Sequence, residues 1–311
     1  MSHMIEFDRV TKLYGTVLGA NDINLTLEPG AYGLLGPNGS GKTTLLNLLV
    51  GQLTPTLGTV KVLGMNPRNS AELHSRLAYC PSSEGLYAKV SGFQWVSYLV
   101  ELHGYSRTEA KERAEHWLTV TGMKDAMHRH IAGYSRGMRQ RTKLSQALAH
   151  DSELIILDEP FSGLDPVGRH EMTQLLRERV DQGTSVLFAS HVLHEIESLT
   201  SSFLLIRDGR VLASGSKEEI YDLLVDIPTE VNIHCDDLRA LAAFLMRDES
   251  TRDSRVEGDS LRVSTTSAAR LYEILPSFVR ETGISIRRIE SASASLHELF
   301  TSLMKIHRGE V

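Results

Sequence analysis

Cysteine is scarce in this sequence, and long apolar runs are missing. Only two cysteines, Cys80 and Cys235, occur among 311 residues, and their separation fits no metal-binding or redox motif. We interpret them as free thiols of a reducing cytosol. The longest charge-free stretch after the first glycine-rich loop, 43–60, is interrupted by threonines, amides and Pro55, so it lacks the ~20 mostly apolar residues that cross a bilayer. A role at a membrane would therefore need a partner protein.

An excess of positive charge is missing as well. The chain has 39 acidic and 33 basic residues, a net charge of −6 and a pI near 6.1. This balance argues against a protein that binds nucleic acid through a general basic field. With 41% hydrophobic residues, a chain of this length can bury a full core and form about two domains.

The most informative stretch is glycine-rich and is called the phosphate loop below. It fits the pattern G-x-x-x-x-G-K-[ST], follows the apolar strand-like run 31–35 and precedes the helix-like run 44–51, which is the context that phosphate binding requires. Its glycines let N–H groups turn toward phosphate oxygens, and the helix adds the positive end of its dipole. The pattern predicts nucleotide binding by Gly36, Pro37, Asn38, Gly39, Ser40, Gly41, Lys42, Thr43 and Thr44.

Within this loop two side chains have separate tasks. Lys42 supplies a mobile positive charge for the β- and γ-phosphates, and Thr43 supplies a hydroxyl for Mg²⁺. A later segment adds a second anion-binding feature, because Ser135 is a good N-cap for a helix that continues to about Leu148. The N–H groups at the start of that helix are then available for an anion.

Two buried strands are predicted to end in polar side chains. The apolar run 154–157 ends in Asp158 and Glu159, as expected for a parallel strand whose carboxyl end faces the site. An aspartate there holds Mg²⁺ in phosphate-loop enzymes, and Glu159 is placed to polarise the attacking water. The run 184–190 ends at His191. Because parallel strand ends converge on one crevice, we expect His191 on the γ-phosphate side.

The remaining elements follow from hydrophobic periodicity. Alternating apolar and polar residues predict strands at 5–10 and 23–28, which should form an antiparallel flap beside the nucleotide. Tyr14, between them, either lays its ring on the adenine or is buried in ordinary packing. Helical spacing predicts one helical zone over 92–121 and a short helix over Lys124–His130.

A different pattern begins after a helix predicted at 217–225. Strand, helix, two strands, helix and strand follow in order, and the last helix is expected at 296–306. The order β-α-β-β-α-β resembles a small ferredoxin-like module. It contains no recognisable catalytic set. We therefore predict a first domain over 4–225 and an accessory α+β domain over 226–311.

Five separated elements, in this order, resemble the ATP-binding cassette (ABC) ATPase family. They are the phosphate loop, the signature segment Tyr134–Met138, the acidic strand 154–159, the turn 162–165, and His191. The resemblance covers about residues 4–225. It implies a P-loop NTPase core with a RecA-like parallel sheet, an antiparallel β flap and a helical subdomain at about 88–150, with the small ferredoxin-like domain after it.

The resemblance also implies how such a chain works. Two cassettes bind two Mg-ATP head to tail, between the phosphate loop of one and the signature segment of the other. A two-fold interface completes both sites at once, and hydrolysis removes the γ-phosphate that bridges them. The form Tyr-Ser-x-Gly-Met, with Gly85-Leu86-Tyr87 upstream, is most similar to exporter-type cassettes that work with a separately encoded permease. That places the chain in the cytoplasm, on the inner face of the cell membrane.

For the nucleotide and metal, the resemblance assigns roles residue by residue. Tyr14 stacks on the adenine, Lys42 and Thr43 bind phosphate and Mg²⁺, and Thr44 lies by the α-phosphate. Asp158 supports Mg²⁺. The catalytic pair consists of Glu159, which is the catalytic carboxylate, and His191, which contacts the γ-phosphate and senses its loss.

Across the implied interface, the signature segment acts on the opposite subunit's nucleotide through Ser135, Arg136, Gly137 and Met138. Asp165 links the two sites. Arg136 and Met138 stand where the family usually has glycine and glutamine, within the exporter-like variant. Ser82 stands where the family usually has glutamine or glutamate as a further ligand near Mg²⁺. Its shorter side chain puts direct reach to the metal and the water in doubt, and with it the usual coupling to the permease.

Other functions fit parts of the same pattern. An ATP-driven switch could signal through a membrane partner without moving a solute, and a soluble machine could act on nucleic acid or ribosomes. The acidic charge and the single phosphate loop argue against a nucleic-acid partner. The accessory domain could contact a second subunit, regulate the ATPase or contact the permease. Four residues either anchor a permease helix or pack the helical zone: Leu86, Tyr87, Val90 and Phe93.

Overall fold

The structure is a computed structural model that describes residues 3–83, 85–216, 219–220 and 229–291. Its contacts divide the chain into two compact units, Met1–Ser216 and Lys217–Val311. The division lies nine residues before the boundary predicted at 225/226. The helix predicted at 217–225, apart from residues 219–220, and the helix predicted at 296–306 lie outside the described residues.

In the first unit the described strands form two sheets. One is a three-stranded antiparallel sheet and the other a six-stranded, mostly parallel sheet. In chain order the strands are β1 (Ile5–Tyr14), β2 (Val17–Leu27), β3 (Ala31–Leu35), β4 (Leu57–Val62), β5 (Leu77–Cys80), β6 (Leu154–Asp158), β7 (Ser185–Ser190), β8 (Ser202–Arg207) and β9 (Arg210–Ser216).

The six-stranded sheet has the order β5-β6-β7-β3-β8-β9. Neighbouring strands are parallel except for the final hairpin of β8 and β9, which pair antiparallel. Every residue of β6 and β7 is buried, which is why both read as nearly unbroken apolar runs. Because β6, β7 and β3 are adjacent, the loops that follow them meet at one edge of the sheet.

The antiparallel flap predicted from the alternating strands is confirmed and gains a strand. Its order is β2-β1-β4, so β4 joins the two predicted strands. The flap packs on the core through the inward residues of β1, including Ile5, Phe7 and Val10. Together with the parallel sheet this confirms the P-loop NTPase architecture.

Seven described α-helices and one 3₁₀ helix, Ile131–Gly133, complete the first unit. The α-helices are α1 (Lys42–Leu49), α2 (Ala71–Arg76), α3 (Gly92–Leu102), α4 (Arg107–Val120), α5 (Arg136–Leu148), α6 (Pro166–Asp181) and α7 (Leu193–Glu197). Helices α3, α4 and α5 share a core of their own, formed by small and aliphatic residues such as Val96, Ala114 and Met127. This is the predicted helical subdomain.

The helical zone predicted over 92–121 is confirmed, whereas the short helix predicted over Lys124–His130 is wrong. The zone 92–121 is divided into α3 and α4, because Gly104 adopts a φ of 95° and Ser106 then starts α4 with a capping box. The segment Lys124–His130 forms turns instead of a helix. Its backbone hydrogen-bonds to a distant part of the chain, since the Met127 carbonyl accepts from the Phe93 N–H at 2.9 Å.

The second unit has the predicted β-α-β-β-α-β order over its described part. The elements are β10 (Thr229–Cys235), α8 (Leu238–Leu245), β11 (Thr251–Glu257), β12 (Ser260–Thr265), α9 (Ala268–Thr282) and β13 (Ile286–Ser291). The sheet order is β11-β12-β10-β13, with antiparallel neighbours throughout. This is the ferredoxin-like arrangement. Its core joins one face of the sheet to both helices through residues such as Ile233, Leu241 and Phe278.

A buried histidine links the parallel sheet to the helical subdomain. His150 is 2% exposed, donates a hydrogen bond from Nε2 to the Leu77 carbonyl at 3.2 Å, and stacks on His103 with ring centroids 3.8 Å apart. Burial, and next the adjacent His103, lower the pKa of His150 to about 4. The backbone carbonyl of Leu77 and the carboxylate of Asp151 oppose this shift, and Arg179 reinforces it. His103 also has a lowered pKa, owing first to burial and then to His74.

This arrangement predicts a loss of stability in mild acid. The folded-state pKa of His150 lies below its ordinary value, so the unfolded chain binds the proton first as the pH falls. We expect His150→Gln to remove about 2 kcal/mol of the stability change between pH 7 and pH 5. Urea unfolding at both pH values measures it, with the exposed His170→Gln as control. An identical pH dependence in His150→Gln and the wild type would refute the prediction.

Candidate active site

The phosphate loop connects β3 to α1 and has the backbone that its glycines require. Gly39 and Gly41 have φ of 81° and 105°, in the left-handed region that favours glycine. A Cβ at Gly41 would lie 2.6 Å from the Gly19 carbonyl oxygen, and one at Gly36 would lie 2.4 Å from the Ile206 carbonyl oxygen. Helix α1 has no side-chain cap. Its first N–H groups are therefore available to an anionic ligand.

Lys42 lies back against this loop. Its Nζ donates to the Gly36 carbonyl at 2.7 Å and to the Pro37 carbonyl at 3.3 Å, and lies 3.6 Å from Oε1 of Glu159. The side chain is 7% exposed. Burial lowers the pKa of Lys42, while the charges of Glu159 and Asp158 oppose that shift. A cation with little water around it interacts strongly with an arriving phosphate.

Asp158 collects two hydroxyl groups. Thr43 Oγ1 donates to its Oδ2 at 2.9 Å, and Ser82 Oγ donates to the same oxygen at 2.8 Å. The carboxylate is 1% exposed, and among the described residues its Oδ1 has no hydrogen-bond partner. A buried, unsatisfied carboxylate oxygen beside two hydroxyls is the kind of oxygen donor set that Mg²⁺ prefers. The residues present therefore fit the metal.

Glu159 and His191 form a contact pair at the ends of β6 and β7. Nδ1 of His191 lies 2.9 and 3.0 Å from the two carboxylate oxygens of Glu159. Glu159 has a φ of 52°, a conformation that costs a non-glycine residue about 1–3 kcal/mol. Its N–H donates to the Ala189 carbonyl at 2.9 Å, which holds the strained residue in place. This backbone conformation turns the Glu159 carboxylate away from the buried strand. In the cleft the carboxylate can accept a proton from water.

These groups line one cleft of about 550 Å³, a size typical of small-molecule sites. The flap forms one wall, with the Tyr14 ring packed against Gly19 and its hydroxyl 3.3 Å from Thr44 Oγ1. The lining residues are Tyr14, Val17, Leu18, Gly19, Asn38, Gly39, Gly41, Lys42, Thr43, Thr44, Ser82, Arg136, Asp158, Glu159, Ser162 and His191.

The signature segment contributes differently. Ser135 caps α5, since its hydroxyl accepts from the Met138 N–H at 3.2 Å, as predicted. Gly137 lies against the Gly163 carbonyl, and Met138 packs on the helical subdomain core. Of the four signature residues predicted to act in trans, Arg136 is the one found among the residues lining the cleft of its own chain, where its Nη2 donates to Ser162 Oγ at 2.7 Å.

Asp165 does not line this cleft among the described residues. It caps α6, where its Oδ1 accepts from the Gly168 N–H at 2.9 Å. Other lining residues were missed from the sequence. Val17 and Leu18 belong to the cleft because they pair with Tyr14 and Leu13 in the hairpin of β1 and β2. The Gly15-Thr16 turn before them was an available signal.

Known proteins resemble the chain along nearly its whole length. The bacitracin transport ATP-binding protein BcrA of Enterococcus faecalis is 32% identical over 98% of this chain and 97% of its own length. The chain belongs to the ABC transporter family. The daunorubicin/doxorubicin resistance ATP-binding protein DrrA of Streptomyces peucetius is 31% identical over 96% of this chain and 92% of its own length. The family described as ABC transporter matches residues 20–162.

Solved structures agree with this family in fold. An ATP-binding subunit of an ABC transporter superposes with a TM-score of 0.66 at 25% identity, over 71% of this chain and 93% of its own. A dimeric post-hydrolysis cassette, MJ0796 with ADP and Pi, superposes with a TM-score of 0.64 at 22% identity, over 68% of this chain and 98% of its own. The chain is therefore an ATP-binding ATPase of the ABC transporter family, and the alternatives of a switch or a soluble ribosome-acting machine are not favoured. Within the part described, no helix is long and apolar enough to cross a bilayer.

Proposed function

We propose that this chain forms a head-to-tail dimer with a second ATPase subunit around two Mg-ATP and drives a separate permease. One observation carries the proposal. The phosphate loop, Asp158, Glu159 and His191 line one cleft, whereas Ser135 and Gly137 are not among its described lining residues. Arg136 lines this cleft, and we infer that Ser135 and Gly137 beside it serve a nucleotide bound to another subunit. A two-fold arrangement supplies that segment to both sites.

In this proposal the residues of one cleft divide the work on ATP. Lys42 and the N–H groups at the start of α1 neutralise the β- and γ-phosphates. Thr43, Ser82 and Asp158 would hold Mg²⁺, which draws electron density from the phosphate oxygens when bound. Glu159 accepts a proton from the attacking water, and His191 orients the carboxylate through its 2.9 Å contact.

Loss of the γ-phosphate opens the dimer. A ligand shifts a conformational equilibrium only through its differential affinity for the two states. The γ-phosphate contacts both the phosphate loop of one subunit and the signature segment of the other, whereas ADP lacks that bridge. Asp165, which fixes the start of α6, passes the change between the two sites. The resulting opening and closing is the mechanical output to the permease.

The proposal predicts a role for Tyr14 in base binding. Its ring is 44% exposed in the cleft, and a stacked base is worth about 1–3 kcal/mol. Tyr14→Ala should therefore weaken ATP binding about tenfold or more, measured by calorimetry without metal. Tyr14→Phe keeps the ring and removes only the contact to Thr44, so it should bind nearly as well as wild type. Equal affinity of Tyr14→Ala and wild type would show that the ring only packs.

The permease surface is proposed on the helical subdomain. Of the four candidate anchors, Leu86, Val90 and Phe93 pack against the subdomain core, and Tyr87 is 58% exposed. Tyr98 and Leu102 are 58% and 65% exposed and lie one turn apart on one face of α3. Such a surface suits a short helix of a membrane partner. The chain would then work in the cytoplasm on the inner face of the membrane, without a nucleic-acid partner.

A direct test uses the purified full chain and the membrane protein encoded beside it. We expect the chain to release phosphate from Mg-ATP and to copurify with that protein in detergent. Tyr87→Ser with Leu102→Ser should weaken copurification and leave ATP binding unchanged. Absence of both ATP binding and hydrolysis would refute the ATPase proposal. Hydrolysis without copurification would refute only the proposed partner.

A further inference from the structure

A buried lysine lies on the signature helix α5, outside the nucleotide cleft as described. Lys143 is 5% exposed. Its Nζ donates to three successive backbone carbonyls, those of Pro81 at 2.8 Å, Ser83 at 3.2 Å and Ser82 at 3.4 Å. A buried ammonium is costly unless its N–H groups are satisfied. Lys143 therefore holds the loop after β5 to α5. Separating the two would leave a buried ammonium without its hydrogen bonds, which costs free energy.

The same loop contacts Asp158, the carboxylate proposed to bind the metal. The Ser82 carbonyl accepts from Lys143, and the Ser82 hydroxyl donates to Asp158 Oδ2 at 2.8 Å. The chain of contacts thus runs from α5 through Lys143 and the loop backbone to Asp158.

A second contact fixes α5 to the other side of the carboxylate pair. Gln140 is one turn before Lys143 and lies on the same side of the helix. Its Nε2 donates at 2.7 Å to the carbonyl of Pro160, the residue after Glu159. The helix is thus tied on one side to the loop that contacts Asp158 and on the other to the segment after Glu159. A rigid displacement of α5 has to move at least one of these contacts.

We propose that Lys143 is a positioning residue that couples the signature helix to the metal ligands through Ser82. This inference rests on the proposed Mg-ATP function. A serine is too short to span from the loop to the site unless the loop backbone is brought close, and Lys143 holds it there. A displacement of α5 when the signature segment engages a second subunit would then change the contact of the Ser82 hydroxyl with Asp158. Metal affinity then depends on the position of α5.

The test measures metal binding directly. Mn²⁺ replaces Mg²⁺ as the probe, and free Mn²⁺ is followed by electron paramagnetic resonance in the full chain with a non-hydrolysable ATP analogue. Lys143→Met, Ser82→Ala and the double variant are compared with wild type. The matched control is Lys111→Met, which removes an exposed lysine of α4. Binding of the analogue without metal and thermal unfolding are recorded for every variant.

We expect Lys143→Met to weaken Mn²⁺ binding about tenfold or more, the scale for residues that orient metal ligands. Metal-free nucleotide binding should be unchanged, and Lys111→Met should match wild type. Ser82→Ala should cause a similar loss, and the double variant should lose little more than Ser82→Ala. That non-additivity distinguishes positioning through Ser82 from a general loss of structure.

Two results would overturn the inference. One is unchanged Mn²⁺ affinity in folded Lys143→Met, and the other is a double variant whose two losses multiply. If Lys143→Met is recovered unfolded, Lys143→Gln, which keeps an N–H donor and removes the charge, is measured against the same criteria. A wild-type chain that binds neither nucleotide nor Mn²⁺ would instead refute the proposed function. The two failures are therefore distinguishable.

Discussion

Replacing Glu159 with glutamine should slow ATP hydrolysis about 10²–10⁴-fold, the usual contribution of a positioned acid–base group. Glutamine keeps the shape of the side chain but cannot take the proton from the attacking water. The bridging γ-phosphate then persists, and saturating Mg-ATP should shift the chain from monomer to dimer. Phosphate release and elution from a sizing column measure the two effects.

The matched control for this variant is Glu153→Gln. Glu153 lies just before the opposite end of β6 and pairs with Arg76 at 2.6 Å on the surface, so its loss should affect neither hydrolysis nor dimerisation. Unchanged elution of Glu159→Gln with saturating Mg-ATP would count heavily against the two-subunit mechanism. Undiminished hydrolysis would remove Glu159 from the catalytic pair.

Lys42→Met should weaken ATP binding about 10- to 150-fold, because a hydrogen bond to a charged group is worth about 1.5–3 kcal/mol. The variant keeps the length of the side chain and removes the cation nearest the phosphates. It also leaves Glu159 without the Lys42 ammonium 3.6 Å away, which adds repulsion toward the γ-phosphate. Calorimetric titration with ATP, with and without Mg²⁺, measures the change.

Lys61→Met serves as control for that loss of charge. Lys61 is on β4, where its side chain is 54% exposed and its Nζ lies 3.7 Å from Glu6. Exposed pairs of this kind contribute little, so ATP affinity should be unchanged. An affinity of Lys42→Met within twofold of wild type would mean that backbone N–H groups alone hold the phosphates.

Most of the fold was predictable because its signals are local. The buried runs ending at Asp158 and His191 read as parallel strands, and the second unit has the predicted ferredoxin-like order. The helix predicted at Lys124–His130 failed for a physical reason. The segment Lys124–His130 has helical spacing, but Phe93 takes its Met127 carbonyl, and no periodicity within the segment records that distant donor. Gly104 marks the break between α3 and α4, which the helical spacing over 92–121 did not reveal.

The candidate site was predictable to a different extent on its two sides. The phosphate loop, Asp158 and Glu159 follow from residue type next to strand ends. The position of Ser82 does not follow from the sequence, because the length of its side chain suggested that it could not reach the metal. Lys143 Nζ donates to the Ser82 carbonyl at 3.4 Å, a contact between residues 61 positions apart.

The sequence by itself determined the ligand class and the elements that bind it. Nine successive residues contain the turning glycines, the cation and the hydroxyl, so local backbone geometry is enough to bring them together around a phosphate. Tertiary structure alone decided that Thr43 and Ser82 share one oxygen of Asp158, from 115 and 76 positions away. This arrangement depends on the strand order and on the contacts between α5 and the loop after β5. Such long-range packing leaves no periodic pattern in the sequence.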